Sequence, residues 1–119
     1  MQAEKIEALK ESTEGWLKAK KVELGIGEWS SPCFPVATKT RGKWRGVVDM
    51  RHVNEQCVED SYPLLRIEDL LVQQGRFEIH SALDVKDAFH QIPMEESSRC
   101  ISCTVTPLGM FQWRVVVTG

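Results

Sequence analysis

An α+β fold, with a mainly antiparallel sheet and packed helices, is what the 119-residue sequence predicts. Three observations carry this. Residues 3 to about 20 place Ile6, Leu9, Thr13, Trp16, Leu17 and Lys20 on successive helical turns, with charged residues on the other sides. Residues 64–74 repeat a helical spacing through Leu64, Ile67, Leu70 and Leu71. Between and after them lie short extended runs joined by glycine-bearing turns.

The first helix contains Gly15, which costs about 1 kcal/mol relative to Ala, so it is expected to need a partner surface. Gly25-Ile26-Gly27 breaks the pattern, and Ser30-Ser31-Pro32 turns the chain into an extended run. Cys33–Thr38 and Trp44–Met50 read as two strands of a hairpin around Thr40-Arg41-Gly42-Lys43, with Gly42 supplying the positive φ. That hairpin carries Lys39, Arg41, Lys43, Arg45 and Arg51 against one nearby acid, Asp49. Crowded cations repel, which a polyanion would relieve; the same charges also suit a solvated, aggregation-resistant edge. Asn54 to Pro63 is a polar connection. The 64–74 helix is expected to cover a sheet face and to end at Gly75.

Phe77, Ile79 and Leu83 fall on one face at a period of two, which predicts a half-buried strand over 77–83. Asp84 would stand where that strand leaves the sheet, followed by a short helical turn over Val85–Gln91. A carboxylate at such a place reaches a metal without being buried unpaired. Met94–Ser98 is a polar loop, and Arg99–Val105 and Met110–Val117 read as strands of a second hairpin around Thr106-Pro107-Leu108-Gly109.

Composition bounds the function. The length allows one small domain, and the net charge of −2 gives no overall attraction to nucleic acid, so polyanion contact requires a local patch. No apolar run reaches the roughly 18 residues of a membrane span, and the N-terminus has no apolar signal core. An intracellular, unsecreted protein with reduced cysteines is the expectation. A zinc site on Cys100 and Cys103 is disfavoured, because strand residues three apart point to opposite faces. The sequence stops after the apolar run Val115-Val116-Val117, which suggests an excerpt of a larger fold and a sheet edge prone to self-association.

Taken in order, these motifs resemble the reverse transcriptases of gypsy-type long-terminal-repeat retrotransposons and retroviruses, from about Gly25 to Gly119. Trp29-Ser30-Ser31-Pro32 is similar to the family's approach to the fingers. Trp44-Arg45 with Asp49, Arg51 and Asn54 resembles its W-R-x-x-x-D-x-R-x-x-N block. Ser61-Tyr62-Pro63-Leu64, Ile67 and Asp69-Leu70-Leu71 resemble the next block. Leu83–Pro93 is similar to the first catalytic block, and Thr104, Pro107, Gly109, Phe111 and Trp113 to the strand after it. Copia-type elements share only part of this pattern and rank second.

The resemblance implies a partial right-hand polymerase fold: a helical lead-in over 1–24, then fingers and incomplete palm over 25–119. It implies Mg²⁺-dependent nucleotidyl transfer, with template-primer RNA or DNA and deoxynucleoside triphosphates as partners. Asp84 matches the first metal-binding aspartate, and Val85 a residue whose carbonyl faces a metal. Lys39 and Arg45 match the triphosphate grip, with Arg41 as a substitute for Lys39. Asp87 and Ala88 match residues whose N–H groups approach the phosphates, and Phe89 matches the ring that excludes a 2′-hydroxyl. Gln91 belongs to the same block, and Gly119 aligns with a turn under the nucleotide. Arg41, Lys43 and Arg51 complete a nucleic-acid patch. The family's Tyr-x-Asp-Asp motif does not occur in the sequence. A fragment inactive alone is therefore the expectation, a non-catalytic nucleic-acid or nucleotide-binding remnant is the alternative, and whether the chain is itself an enzyme stays open.

Overall fold

The structure is a computed structural model that describes residues 2–117. Its centre is a five-stranded sheet in the order β1-β5-β4-β2-β3. The strands are β1 (Val22–Leu24), β2 (Ser31–Ala37), β3 (Trp44–Val48), β4 (Thr104–Thr106) and β5 (Gly109–Trp113). Among the described strands the β2–β4 pair is parallel, and β1–β5, β2–β3 and β4–β5 are antiparallel. The α+β class with a mainly antiparallel sheet is thus observed.

Helix α1 (Gln2–Lys18) lies on this sheet, chiefly against β3 and β2. Leu9 and Thr13 are its buried positions, and Trp16 packs against the core cluster of Val22, Val48, Met50, Val53, Phe111 and Trp113. Thr13 is 0% exposed, and its hydroxyl donates to the Leu9 carbonyl at 2.8 Å, so no polar atom is stranded. Trp16 and Trp113 meet with ring centroids 4.8 Å apart. The indole N–H of Trp113 donates to Thr104 Oγ1 at 3.0 Å, and its backbone N–H to Ser102 Oγ at 2.9 Å, which satisfies a side chain only 1% exposed.

Both expected hairpins form. β2 and β3 pair from Cys33–Val48 to Ala37–Trp44, and Gly42 turns with φ +80°. β4 and β5 pair from Thr104–Phe111 to Thr106–Gly109, around Pro107 and Leu108. The second pair is shorter than its sequence pattern. Glu96–Ser102 winds as a 3₁₀ helix instead of entering the strand, closed by the Ser98 N–H on the Glu95 carbonyl and the Ser102 hydroxyl on the Arg99 carbonyl. Beyond Trp113 the ladder gives way to an isolated bridge, Pro93 to Val115, with backbone bonds from the Arg114 N–H to the Lys21 carbonyl and from the Val116 N–H to the Ile92 carbonyl.

Two expectations fail between the hairpins. Residues 77–83 form no strand, and Phe77, Ile79 and Leu83 are exposed, Leu83 by 94%. A period of two marks a face that a strand would bury, but a strand exists only when another backbone completes its hydrogen bonds. No described strand pairs with this stretch. The helix expected over 64–74 forms as α3 (Ile67–Gln74), following a short α2 (Arg51–Glu55). It buries no residue and so covers no sheet face. Gly75 does sit at its C-cap, with φ −60° rather than a left-handed value.

Candidate functional site

A cleft of about 630 Å³ opens between α1, β3 and the turn that follows Asp84. β3 contributes Arg45, Gly46 and Val48; α1 contributes Glu11, Ser12 and Trp16. Asp87, Ala88, Phe89 and His90 close the opposite side, with Trp113 from β5. Gly46 lets α1 approach: its N–H donates to Ser12 Oγ at 2.9 Å, and a Cβ there would lie 3.0 Å from the Ser12 Cβ.

The turn is tightly determined. Asp87 has φ +49°, a left-handed conformation uncommon for a residue with a Cβ. The chain then enters a 3₁₀ turn, Phe89–Gln91, and the Gln91 amide donates to the Lys86 carbonyl at 2.6 Å. Lys21 reaches into the cleft, 3.0 Å from His90 Nδ1 and 3.7 Å from the Asp87 carboxylate. Burial first, and then the Lys21 cation, lower the His90 pKa, against a smaller opposing effect of Asp87. The His90 ring also lies 5.5 Å from that of Trp113.

Four of the expected nucleotide-binding residues therefore meet in one cleft: Arg45, Asp87, Ala88 and Phe89. Gln91 does not line it but ties the turn from behind. Lys39 and Arg41 sit exposed at the hairpin and do not line it. Lys43 faces α1 instead, sharing a shallow depression with Glu4, Glu7 and Glu11. The hairpin's cations thus have acidic neighbours beyond Asp49. Nearby, Lys5 stands 4.7 Å over the Trp44 ring. Arg51 is engaged by Asp49 through two side-chain hydrogen bonds, of 2.9 and 2.6 Å. Those bonds hold the Asp49 pKa down to about 2. Asp84 and Val85 are exposed and outside the cleft lining. Gly119 lies outside the described residues. Among the described residues, no three His, Cys, Asp or Glu side chains converge as metal ligands, and Cys33, Cys57, Cys100 and Cys103 are free thiols.

Sequence reasoning missed Lys21, His90 and the α1 wall of the cleft. Part of the signal for α1 packing on the hairpin was present, since Glu4, Glu7 and Glu11 share one helix face and the hairpin is basic, but Glu4 and Glu7 belong to the depression with Lys43 and not to the cleft wall. Lys21 left none, because it follows the helix in a run of three lysines broken only by Ala19.

Residues 36–119 match the family model described as reverse transcriptase (RNA-dependent DNA polymerase). With most of its length matched, the chain belongs to the reverse transcriptase family. It is 34% identical over 113 residues to the retrovirus-related Pol polyprotein from transposon 412 of Drosophila melanogaster, covering 91% of this chain and 9% of that protein. It is 34% identical over 116 residues to the enzymatic polyprotein of figwort mosaic virus (strain DxS), covering 89% and 17%. To the enzymatic polyprotein of cauliflower mosaic virus (strain Strasbourg) it is 35% identical over 92 residues, covering 75% and 14%. The chain spans less than a fifth of the length of these relatives. It is a reverse transcriptase fragment related to Pol polyproteins.

Proposed function

We infer that the cleft between β3 and the 87–90 turn takes a deoxynucleoside triphosphate, as part of an RNA-directed DNA polymerase acting on a template-primer. One observation carries this reading. Arg45 and the Asp87-Ala88-Phe89 run, distant in sequence, line a single cleft. The Arg45 guanidinium offers a planar fork of donors suited to phosphate oxygens. The Phe89 ring has no hydroxyl to pair with a ribose 2′-OH and would block one sterically.

The lead-in over 1–24 and the fingers and partial palm over 25–119 belong to the same reading, as parts of a right-hand polymerase. So does an intracellular setting. The family generally implies a divalent cation, and Asp84 and Val85 are the residues that the resemblance offers to it. Their surroundings do not fit a two-ion centre, because Asp84 is a single exposed carboxylate and no described acidic cluster joins it. No catalytic step is therefore assigned to the described residues.

The test is a titration with a fluorescent deoxyadenosine triphosphate. Arg45→Ala should weaken binding about tenfold or more, the size of a charge-assisted hydrogen bond. Lys39→Ala should weaken it less, because Lys39 lies off the cleft. Phe89→Ala should erase any preference for the deoxy over the ribo form. Equal affinity in wild type and Arg45→Ala would overturn the reading. The second reading, a non-catalytic nucleic-acid-binding remnant, rests on the exposed hairpin cations Lys39, Arg41 and Lys43. It predicts single-stranded nucleic-acid binding that falls steeply with salt.

A further inference from the structure

The cleft holds a cation that the family blocks do not supply. Lys21 is fixed by its own backbone: its N–H donates to the Trp16 carbonyl, and its carbonyl accepts from the Arg114 N–H, each at 2.9 Å. The position is thus set by the C-terminal end of α1 and by the β1–β5 pairing, whatever the side chain. From there Nζ reaches His90 Nδ1 at 3.0 Å and the Asp87 carboxylate at 3.7 Å, with the side chain 23% exposed. Its two partners bracket Ala88 and Phe89. Asp87 holds a left-handed φ, a conformation uncommon for a residue with a Cβ, although Asp tolerates it better than most.

We propose that Lys21 is a positioning residue: bridging Asp87 and His90, it clamps the 87–90 turn so that the Ala88 backbone and the Phe89 ring present themselves to a nucleotide in the cleft. This deepens the reading of the cleft as a nucleotide site and rests on it. An ammonium group only donates, so His90 Nδ1 accepts and the imidazole is neutral, its proton on Nε2. Among the described residues, the charged groups that act on His90 include Lys21 from the segment after α1 and Asp87 from its own turn, and β5 presents the uncharged Trp113. Glu11 on α1 and Arg45 on β3 are further charges on the same cleft. Lys21 supplies a charge at a fixed point, which Arg also supplies and Met does not.

The experiment compares wild type, Lys21→Met and Lys21→Arg. It uses deoxyadenosine triphosphate titration, backbone amide shifts of residues 87–90, and the imidazole titration of His90 by NMR. Lys21→Met should bind about tenfold more weakly, the loss expected for one hydrogen bond to a charged group. It should also shift the 87–90 amides and raise the His90 midpoint, because a neighbouring cation is gone. Lys21→Arg should bind within about twofold of wild type. Unchanged amide shifts and an unchanged His90 midpoint in Lys21→Met would overturn the clamp, whatever the binding result. Equal nucleotide affinity in all three proteins would overturn its role toward the nucleotide. No binding by wild type would overturn the nucleotide reading instead, and the NMR comparison would still decide whether the clamp exists. Loss of fold in Lys21→Met, seen as collapsed amide dispersion, passes the decision to Lys21→Arg, whose His90 midpoint must stay near that of wild type.

Discussion

At the scale of single residues, His90 has the sharpest consequence. Burial and the Lys21 cation hold its pKa below the ordinary value. The unfolded chain therefore takes up a proton near pH 6.5 before the folded chain does. Stability from this group is complete above about pH 6.5 and is lost as the pH falls through the folded value. Urea midpoints at pH 7.5 and 5.5 should show a less stable protein at the lower pH, and His90→Gln should flatten that difference. An unchanged slope in His90→Gln would assign the effect to other groups. Glu23 does not confuse the window. Its pKa is lowered, first by the Gln112 hydrogen bond, so it titrates below the ordinary carboxylate range. The resemblance to the reverse transcriptase family implied Arg45, Asp87 and Phe89, because each sits in a block that matches the family's in order. His90 was in the same block, yet its partner Lys21 lies far upstream, and a long-range pair of this kind leaves no local pattern.

At the scale of elements, glycines report how closely the parts approach. Gly27 lies against the 3₁₀ helix Glu96–Ser102: a Cβ there would come within 2.3 Å of the Cys100 carbonyl oxygen, which is backbone and cannot yield. Gly27→Ala should therefore destabilise by about 1–3 kcal/mol, the usual cost of overpacking. Gly15, in the middle of α1, has open space for at least 4 Å around the place a Cβ would occupy. Gly15→Ala should stabilise by about 0.5–1 kcal/mol through helix propensity. Paired denaturant melts check both signs, and opposite signs from one substitution would separate packing from propensity. Helix α1 was legible because seventeen residues repeat a 3.6-residue period long enough to read. β1 was not, since three residues define no period. The strand expected from Arg99 shrank to Thr104–Thr106 because Arg99 turns instead to Glu23, 3.4 Å away, and Ser102 caps the Arg99 carbonyl. Polar partners chosen across the fold overrode a local preference for extension.

At the scale of the molecule, the Cα radius of gyration is 18.1 Å, and the extents are 54 × 37 × 24 Å. A compact domain of this length has a radius near 13–14 Å. Residues 54–89 are all exposed, while the sheet, α1 and the Met50–Val53 segment hold the buried core. This excursion carries Leu64, Leu65, Ile67, Ile79 and Leu83, each at least 72% exposed. Its period-two and helical patterns were readable in the sequence, but the surface they would bury against is not among the described elements, and so the patterns overstated its structure. Two outcomes follow. Amides of residues 57–66 and 76–86, mostly without backbone partners, should exchange with solvent close to intrinsic rates, while those of β4 and β5 exchange orders of magnitude more slowly. Slow exchange across 77–83 would mean that this stretch is paired after all. We propose that self-association runs through these exposed apolar side chains rather than the short sheet edges, because exposed apolar surface is what drives non-specific contact in water. Light scattering should then show a mass that rises with concentration, and Leu64→Asp with Leu83→Asp should return it to the monomer value without shifting the urea midpoint, since neither side chain contributes to the core. A concentration-independent monomer in the unsubstituted chain would remove these side chains as an adhesive surface.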